Sequence, residues 1–229
     1  MAAGERPRRE PGTEAIEDYA KAIYAIAQDR KGPVLNGEVA QRLGVTPATA
    51  TSMLKRLDGL GLVDYIPYKG VSLTPAGEKV ALEVIRHHRL IEAYLAEALG
   101  MPADRVHEEA EVLEHAISPE LSELIAAKLG NPTHDPHGDP IPTADGEIER
   151  ASSRRLGDLE QGERGIFVRV SDSDPEMLRW LSERGIAPGD RVEVLERQPF
   201  DGPLLVRFAS GDHSLGGELV RMMRVETAK

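Results

Sequence analysis

Helical periodicity governs this chain from Thr13 to Leu129, then gives way after Leu156 to short strands between Gly and Pro turns. That change of period predicts a mainly α fold with α+β parts. One stretch interrupts the helical portion. Residues 62–73 alternate loosely around Tyr68-Lys69-Gly70 and read as a hairpin. Helices are predicted over residues 13–31, 36–43, 46–59, 74–99, 104–116 and 119–129. Thr46-Pro47 and Thr74-Pro75 each set a capping hydroxyl before a proline at the first helical position, where the missing N–H has no intrahelical partner to lose. Strands are predicted over 165–170, 191–195, 204–208 and 219–225, with a short helix over 176–184, together a small barrel. The expected organisation is a disordered tail over 1–12, a winged helix-turn-helix over 13–75, a helical domain over 76–146, a linker over 147–155 and a β domain over 156–229.

Composition removes several classes of function. With no cysteine there is no disulfide, no thiolate metal site and no cysteine nucleophile. The first residues lack the apolar stretch of a signal peptide, and no apolar run approaches ~20 residues, so no membrane partner is expected and the expected location is the cytoplasm. A net charge of −11 argues at first against nucleic acid. Its distribution answers that objection: residues 1–75 carry 10 Lys and Arg against 9 Asp and Glu, a net of +1, while the remainder carries 18 against 30, a net of −12.

The near-neutral end is where a DNA reader would sit. A helix entering the major groove presents small and polar side chains near its N-terminus, while its other face holds it to the domain. The candidate contacts are Thr46, Pro47, Ala48, Thr49, Thr51, Ser52, Lys55 and Arg56, with Lys69 on the wing. Hydroxyls can meet bases or phosphates, methyls can meet a thymine methyl, and the cations position the domain on phosphates.

The run His107-Glu108-Glu109-Ala110-Glu111-Val112-Leu113-Glu114-His115 carries a second message. On a helix His107, Glu111, Glu114 and His115 share one face about 100° wide. Two imidazoles and two carboxylates are costly to bury together unless a cation binds them. His88 and Glu92, at i and i+4 on the preceding helix, form a second pair. Oxygen and nitrogen donors suit manganese, ferrous iron or zinc. The alternative for the 107–115 run is a solvated acidic face, and for the His88–Glu92 pair a surface hydrogen bond.

These stretches resemble the diphtheria toxin repressor family of metal-dependent regulators. The likeness covers almost the whole chain, through residues 13–24, the helix-turn-helix, V-I-R-H-H-R-L-I-E at 84–92, V-H-E-E-A-E-V-L-E-H at 106–115 and G-N-P-T-H-D-P-H-G-D-P-I-P at 130–142. It implies a winged-helix head, a helical dimerisation and metal domain, and an SH3-like barrel at the C-terminus. It implies a homodimer that binds a palindromic double-stranded DNA operator when loaded with metal, a repressor of metal-uptake genes. The regulatory ligands carried over are Asp18, Glu111, Glu114 and His115, with His88. Iron-type members place methionine and cysteine where this chain has Asp18 and Glu111. Hard oxygen in place of soft sulfur favours manganese over iron as the cofactor, with other divalent ions binding in vitro. Lys21 stands where some manganese regulators have an acid. A further site would draw on Glu92, His107 or His137, with Asp135 and either Asp172 or Asp174. His134 reads as a solvated loop residue.

Three other readings compete: an iron-dependent repressor of the same family, a manganese-dependent hydrolase, and a scaffold whose barrel docks a peptide. Against the hydrolase, the chain has no nucleophile motif and no Gly-rich phosphate loop, so no small-molecule substrate is expected.

Overall fold

The computed structural model describes residues 12–28, 31–149, 152–172, 174–200 and 202–227. All of the expected tail except Gly12 lies outside them. The chain falls into two compact units, one ending at Arg86 and the other beginning at His87.

The first unit runs α1 (Thr13–Gln28), α2 (Asn36–Arg42), α3 (Pro47–Gly59), β1 (Val63–Ile66), β2 (Gly70–Leu73) and the opening of α4 (Pro75–Glu97). Thr46 caps α3 by accepting from the Thr49 amide at 3.1 Å, with Pro47 behind it. One face of α3 then buries Ala50, Leu54 and Leu57 against Tyr19 and Ile23 of α1 and Val39 of α2. Leu54 is completely buried. Leu54→Ala should cost about 2–5 kcal/mol, the usual range for a large-to-small core change. A urea titration followed by far-UV circular dichroism measures it.

β1 and β2 pair in register from Val63↔Leu73 to Ile66↔Gly70, forming the expected hairpin. Its base is pinned twice. Val34 and Val71 exchange both amide hydrogen bonds at 2.8 Å, and the Asp58 carboxylate accepts from the Tyr65 amide at 3.0 Å. Gly70 allows the first of these, since a Cβ there would stand 2.5 Å from the Val34 carbonyl oxygen.

The second unit opens with the rest of α4, then α5 (Ala103–Leu113) and α6 (Pro119–Lys128). There follow β3 (Arg154–Arg155), β4 (Arg164–Val170), α7 (Pro175–Ser182), β5 (Arg191–Arg197), β6 (Leu204–Phe208), β7 (Gly211–Leu215), α8 (Gly217–Met222) and β8 (Met223–Glu226). The strands form a six-stranded antiparallel sheet in the order β3-β8-β4-β5-β6-β7. Its core holds Leu156, Leu159, Phe167, Val194, Val206, Leu215 and Met223, all fully buried. Ser118-Pro119 and Asp174-Pro175 cap α6 and α7 in the manner of Thr46-Pro47. No described helix is long and apolar enough to cross a membrane.

Two expectations need correction. Helix α5 ends at Leu113, not Ala116. The strand expected over 219–225 is α8 followed by β8, and β3 and β7 are strands the periodicity did not reveal. In the polar loop over 131–146, Asp135, His137 and Asp139 are all buried.

Candidate metal centre and DNA-reading face

One imidazole organises the candidate metal centre. His88 and Glu92 sit one turn apart on α4, and both are buried. The Nε2 atom of His88 lies 3.0 Å from Glu92 Oε1 and 3.2 Å from His107 Nδ1, the latter from α5. Its other nitrogen, Nδ1, lies 2.5 Å from Glu114 Oε2 and 3.8 Å from Glu111 Oε1. His88 therefore belongs to two groups of donors. His88, Glu92, His107 and Asp172 bring one ligand atom each to within 4.8 Å of one another, and so do His88, Glu111 and Glu114.

The run from His107 to His115 is thus not one face serving one site. His107 joins the first group, reaching Glu92 and Asp172 at 3.3 Å each. Glu114, at the C-cap of α5, is fully buried in the second. His115 lies beyond the helix end with Nε2 3.4 Å from Glu114 Oε1. Asp18 is half-buried on α1 in the first unit, next to buried Tyr19. The choice between Asp172 and Asp174 is resolved: Asp172 faces His107, whereas Asp174 accepts from the Glu176 and Met177 amides as a helix cap. Asp135 stands apart from the donors. Its Oδ1 accepts from the amides of His137 and Asp139 at 2.8 and 2.9 Å, and its Oδ2 faces Arg89 Nε at 3.6 Å. His134 is exposed, as expected.

Within the first group the carboxylates and imidazoles hold one another charged. Burial pushes the Glu92 carboxyl up, but bonds from His107 and His88 and the charges of His88 and His137 outweigh it and hold Glu92 at about 2. Bonds to Asp172 and Glu92, acting against burial, push the His107 imidazole up to about 10. Burial likewise opposes ionisation of Asp172, yet His107 pulls its carboxyl well below the usual range. Asp135 is raised by burial and by its neighbours Asp139 and Glu92, with Arg89 opposing. Glu92 Oε2 and His137 Nε2 are buried and lack a hydrogen-bond partner, and the two residues approach to 3.7 Å through Glu92 Oε1. An unpaired buried carboxylate oxygen costs about 1–3 kcal/mol or more. The group His88, Glu92, His107 and Asp172, with its ligand atoms within 4.8 Å of one another, fits a divalent ion.

The candidate DNA-reading face is exposed. Thr46, Pro47, Ala48, Thr49, Ser52, Lys55, Arg56 and the wing's Lys69 are all exposed. Thr51 is half-buried and committed locally: its hydroxyl donates to the Pro47 carbonyl at 2.8 Å and accepts from Asn36 Nδ2 at 3.2 Å. Asn36 also donates to the Tyr65 hydroxyl at 3.0 Å, tying α2, α3 and the wing together.

Comparison with known proteins gives these features a common setting. Residues 13–71 match the iron dependent repressor N-terminal DNA binding domain, and residues 74–143 the iron dependent repressor metal binding and dimerisation domain. Residues 154–227 match the FeoA domain. The diphtheria toxin repressor of Corynebacterium efficiens is 30% identical over 93% of this chain and 95% of its own length. The chain belongs to the diphtheria toxin repressor family. Members of this family are metal-dependent DNA-binding repressors and not enzymes, and that is the class of this chain. Among solved structures, a manganese-dependent transcriptional repressor in complex with manganese is 40% identical with a TM-score of 0.87, covering 93% of this chain and all of that one. The manganese regulator SloR is 29% identical with a TM-score of 0.74, over 93% and 98% of the two chains.

Two residues of the centre escape sequence reasoning. Arg89 and Asp139 carry no donor spacing, and the contact of half-buried Arg89 with buried Asp139 is a tertiary fact. The one sequence hint is the position of Arg89 directly after His88.

Proposed function

We propose that this chain is a manganese-responsive repressor that binds a palindromic operator as a homodimer and controls metal-uptake genes. The observation that carries the proposal is His88, one buried imidazole shared between two carboxylate-rich donor groups. The family likeness to manganese-dependent repressors supports manganese over iron, as do the hard oxygen donors Asp18 and Glu111 at positions where iron-type members have sulfur.

Asp18, Glu111, Glu114 and His115 would hold the regulatory ion. Glu92, His107, Asp172 and His137 would hold another, and the neutral His88 imidazole, with one lone pair to donate, would serve one of the two ions. A bound divalent ion supplies the positive charge that lets these carboxylates sit side by side. Without it the carboxylates repel one another, and the winged-helix head of each protomer is free to adopt several arrangements. With their charges neutralised, Asp18 on α1 and Glu111 on α5 hold the head in the arrangement that fits two half-sites. A dimer reads such sites only when the separation of its recognition helices matches the DNA repeat. Metal therefore acts by population shift.

The expected domains are the winged helix over 13–75, the dimerisation and metal domain over 76–146 and an SH3-like barrel over 156–229. The match to the FeoA domain and the antiparallel sheet favour that barrel. Exposed apolar residues Val112, Leu121 and Leu124 on α5 and α6 favour a dimer interface there. A DNA-bound regulator of this kind works in the cytoplasm.

Selection from random duplex DNA tests the proposal. With manganese, the dimer should enrich an inverted repeat. Without metal it should enrich nothing, and equal enrichment in chelator would overturn the reading. Lys69→Ala should weaken binding about equally on all enriched sequences and lower the salt slope by about 1, as loss of a phosphate contact does. Fluorescence anisotropy across a salt series measures this.

A further inference from the structure

We infer that Arg89 is a positioning residue of the metal centre, and that with Asp135 it clamps the 135–140 loop so that the His137 imidazole is delivered to Glu92. The inference rests on the proposed reading of the His88, Glu92, His107 and Asp172 cluster as a metal site, and it changes the expected role of Asp135 from ligand to support.

The contacts run in one chain. Arg89 lies between His88 and Glu92 on α4, and its side chain leaves the helix toward the loop. Its Nη1 donates to the Pro140 carbonyl at 2.5 Å and its Nη2 to Asp139 Oδ1 at 3.1 Å, while Nε faces Asp135 Oδ2 at 3.6 Å. One planar guanidinium thus meets three oxygens of one short loop, a geometry a lysine cannot reproduce. Asp135 Oδ1 accepts from the amides of His137 and Asp139, which folds the loop back on itself. With one oxygen on two amides and the other facing a guanidinium, Asp135 is occupied as a support.

The far side of the loop is fixed to the sheet. The Val170 amide donates to the His137 carbonyl at 3.0 Å, and Arg169 of β4 reaches Asp139 Oδ1 at 2.8 Å. Held from both sides, His137 is almost wholly buried, and its Nε2 has no hydrogen-bond partner. An imidazole is not left unpaired in a polar interior without cost. The loop places that nitrogen beside Glu92, whose own Oε2 is likewise unpaired. Partners that orient metal ligands in this way characteristically affect affinity about 10–100-fold when removed.

The test uses the full-length dimer, cobalt(II) as a visible-absorbing probe, and four variants: His137→Ala, Arg89→Met, Arg89→Lys and the double variant Arg89→Met with His137→Ala. Titration followed by absorption should show one cobalt site about 10–100-fold weaker in Arg89→Met, with the same change of spectrum as in His137→Ala. The double variant should be no weaker than His137→Ala alone, because Arg89 acts through His137. An unchanged cobalt spectrum and affinity in folded Arg89→Met would overturn the clamp, and so would losses that multiply in the double variant. Should Arg89→Met fail to fold, Arg89→Lys is read instead: it should lose part of the affinity, and an unaltered site overturns the inference. Failure of the parent protein to bind cobalt at this cluster would instead sink the proposed metal site itself.

Discussion

Asp18→Ala and Glu111→Ala should each abolish manganese-dependent operator binding while leaving a folded dimer. Neither side chain is fully buried, so truncation leaves no core cavity. What is lost is a donor whose charge the regulatory ion needs. Losing even an outer partner of a metal ligand costs about 10–100-fold in affinity, so loss of a direct donor should exceed about 100-fold at limiting manganese. Glu114→Ala is a poorer probe of the same group. It removes a fully buried carboxylate 2.5 Å from His88 and so confuses folding with metal binding. Anisotropy measures operator affinity and light scattering measures the dimer. Parent-like affinity in both variants at micromolar manganese would remove Asp18 and Glu111 from the regulatory site.

Gly138→Ala should be the most disruptive single methyl in the second unit. Gly138 adopts φ +86, and a Cβ there would overlap the Val168 carbonyl oxygen. Left-handed backbone costs a non-glycine residue about 1–2 kcal/mol, and overpacking adds about 1–3 kcal/mol, for a total of about 2–5 kcal/mol. At about 2–4 °C per kcal/mol for a chain of this size, the thermal midpoint should fall by at least about 4 °C. The loop can relieve the overlap only by leaving β4, which withdraws His137 from Glu92. Gly138→Ala should therefore also weaken the cobalt site that His137→Ala weakens. Gly130→Ala is the control. Its φ is +76, but nothing lies within 4 Å of the added Cβ, so only the backbone cost of about 1–2 kcal/mol applies. Differential scanning calorimetry compares the two, and equal midpoints would refute the close-approach argument.

What the sequence reveals here is what local chemistry encodes. Thr46-Pro47 and Thr74-Pro75 mark helix starts because a hydroxyl cap and a fixed φ act within one turn. The hairpin around Tyr68-Lys69-Gly70 is equally local. The two missed strands, β3 and β7, are the two edges of the sheet. Arg154-Arg155 and Gly211-Asp212-His213-Ser214 are polar, as strand edges are when they must not pair with another chain, and that polarity erases the alternation that reveals a strand. The stretch over 219–225 hides a short helix and a strand because both bury apolar residues at spacings too short to tell apart.

The metal centre shows the same limit. Spacing singles out His88, Glu92, His107, Glu111 and Glu114, but it cannot divide them, since the division depends on α5 stopping at Leu113 and on His88 turning Nδ1 to Glu114 and Nε2 to Glu92 and His107. Burial of Asp135, His137 and Asp139 in a Pro- and Gly-rich loop goes with contacts to Arg89 and β4, a tertiary outcome that composition does not reveal.

The most direct test is a mobility-shift assay on the duplex upstream of this protein's own gene, with manganese and then with chelator. The account predicts retardation by the dimer at micromolar manganese and its disappearance on chelation, restored by adding the ion back. Equal retardation with and without manganese would contradict it.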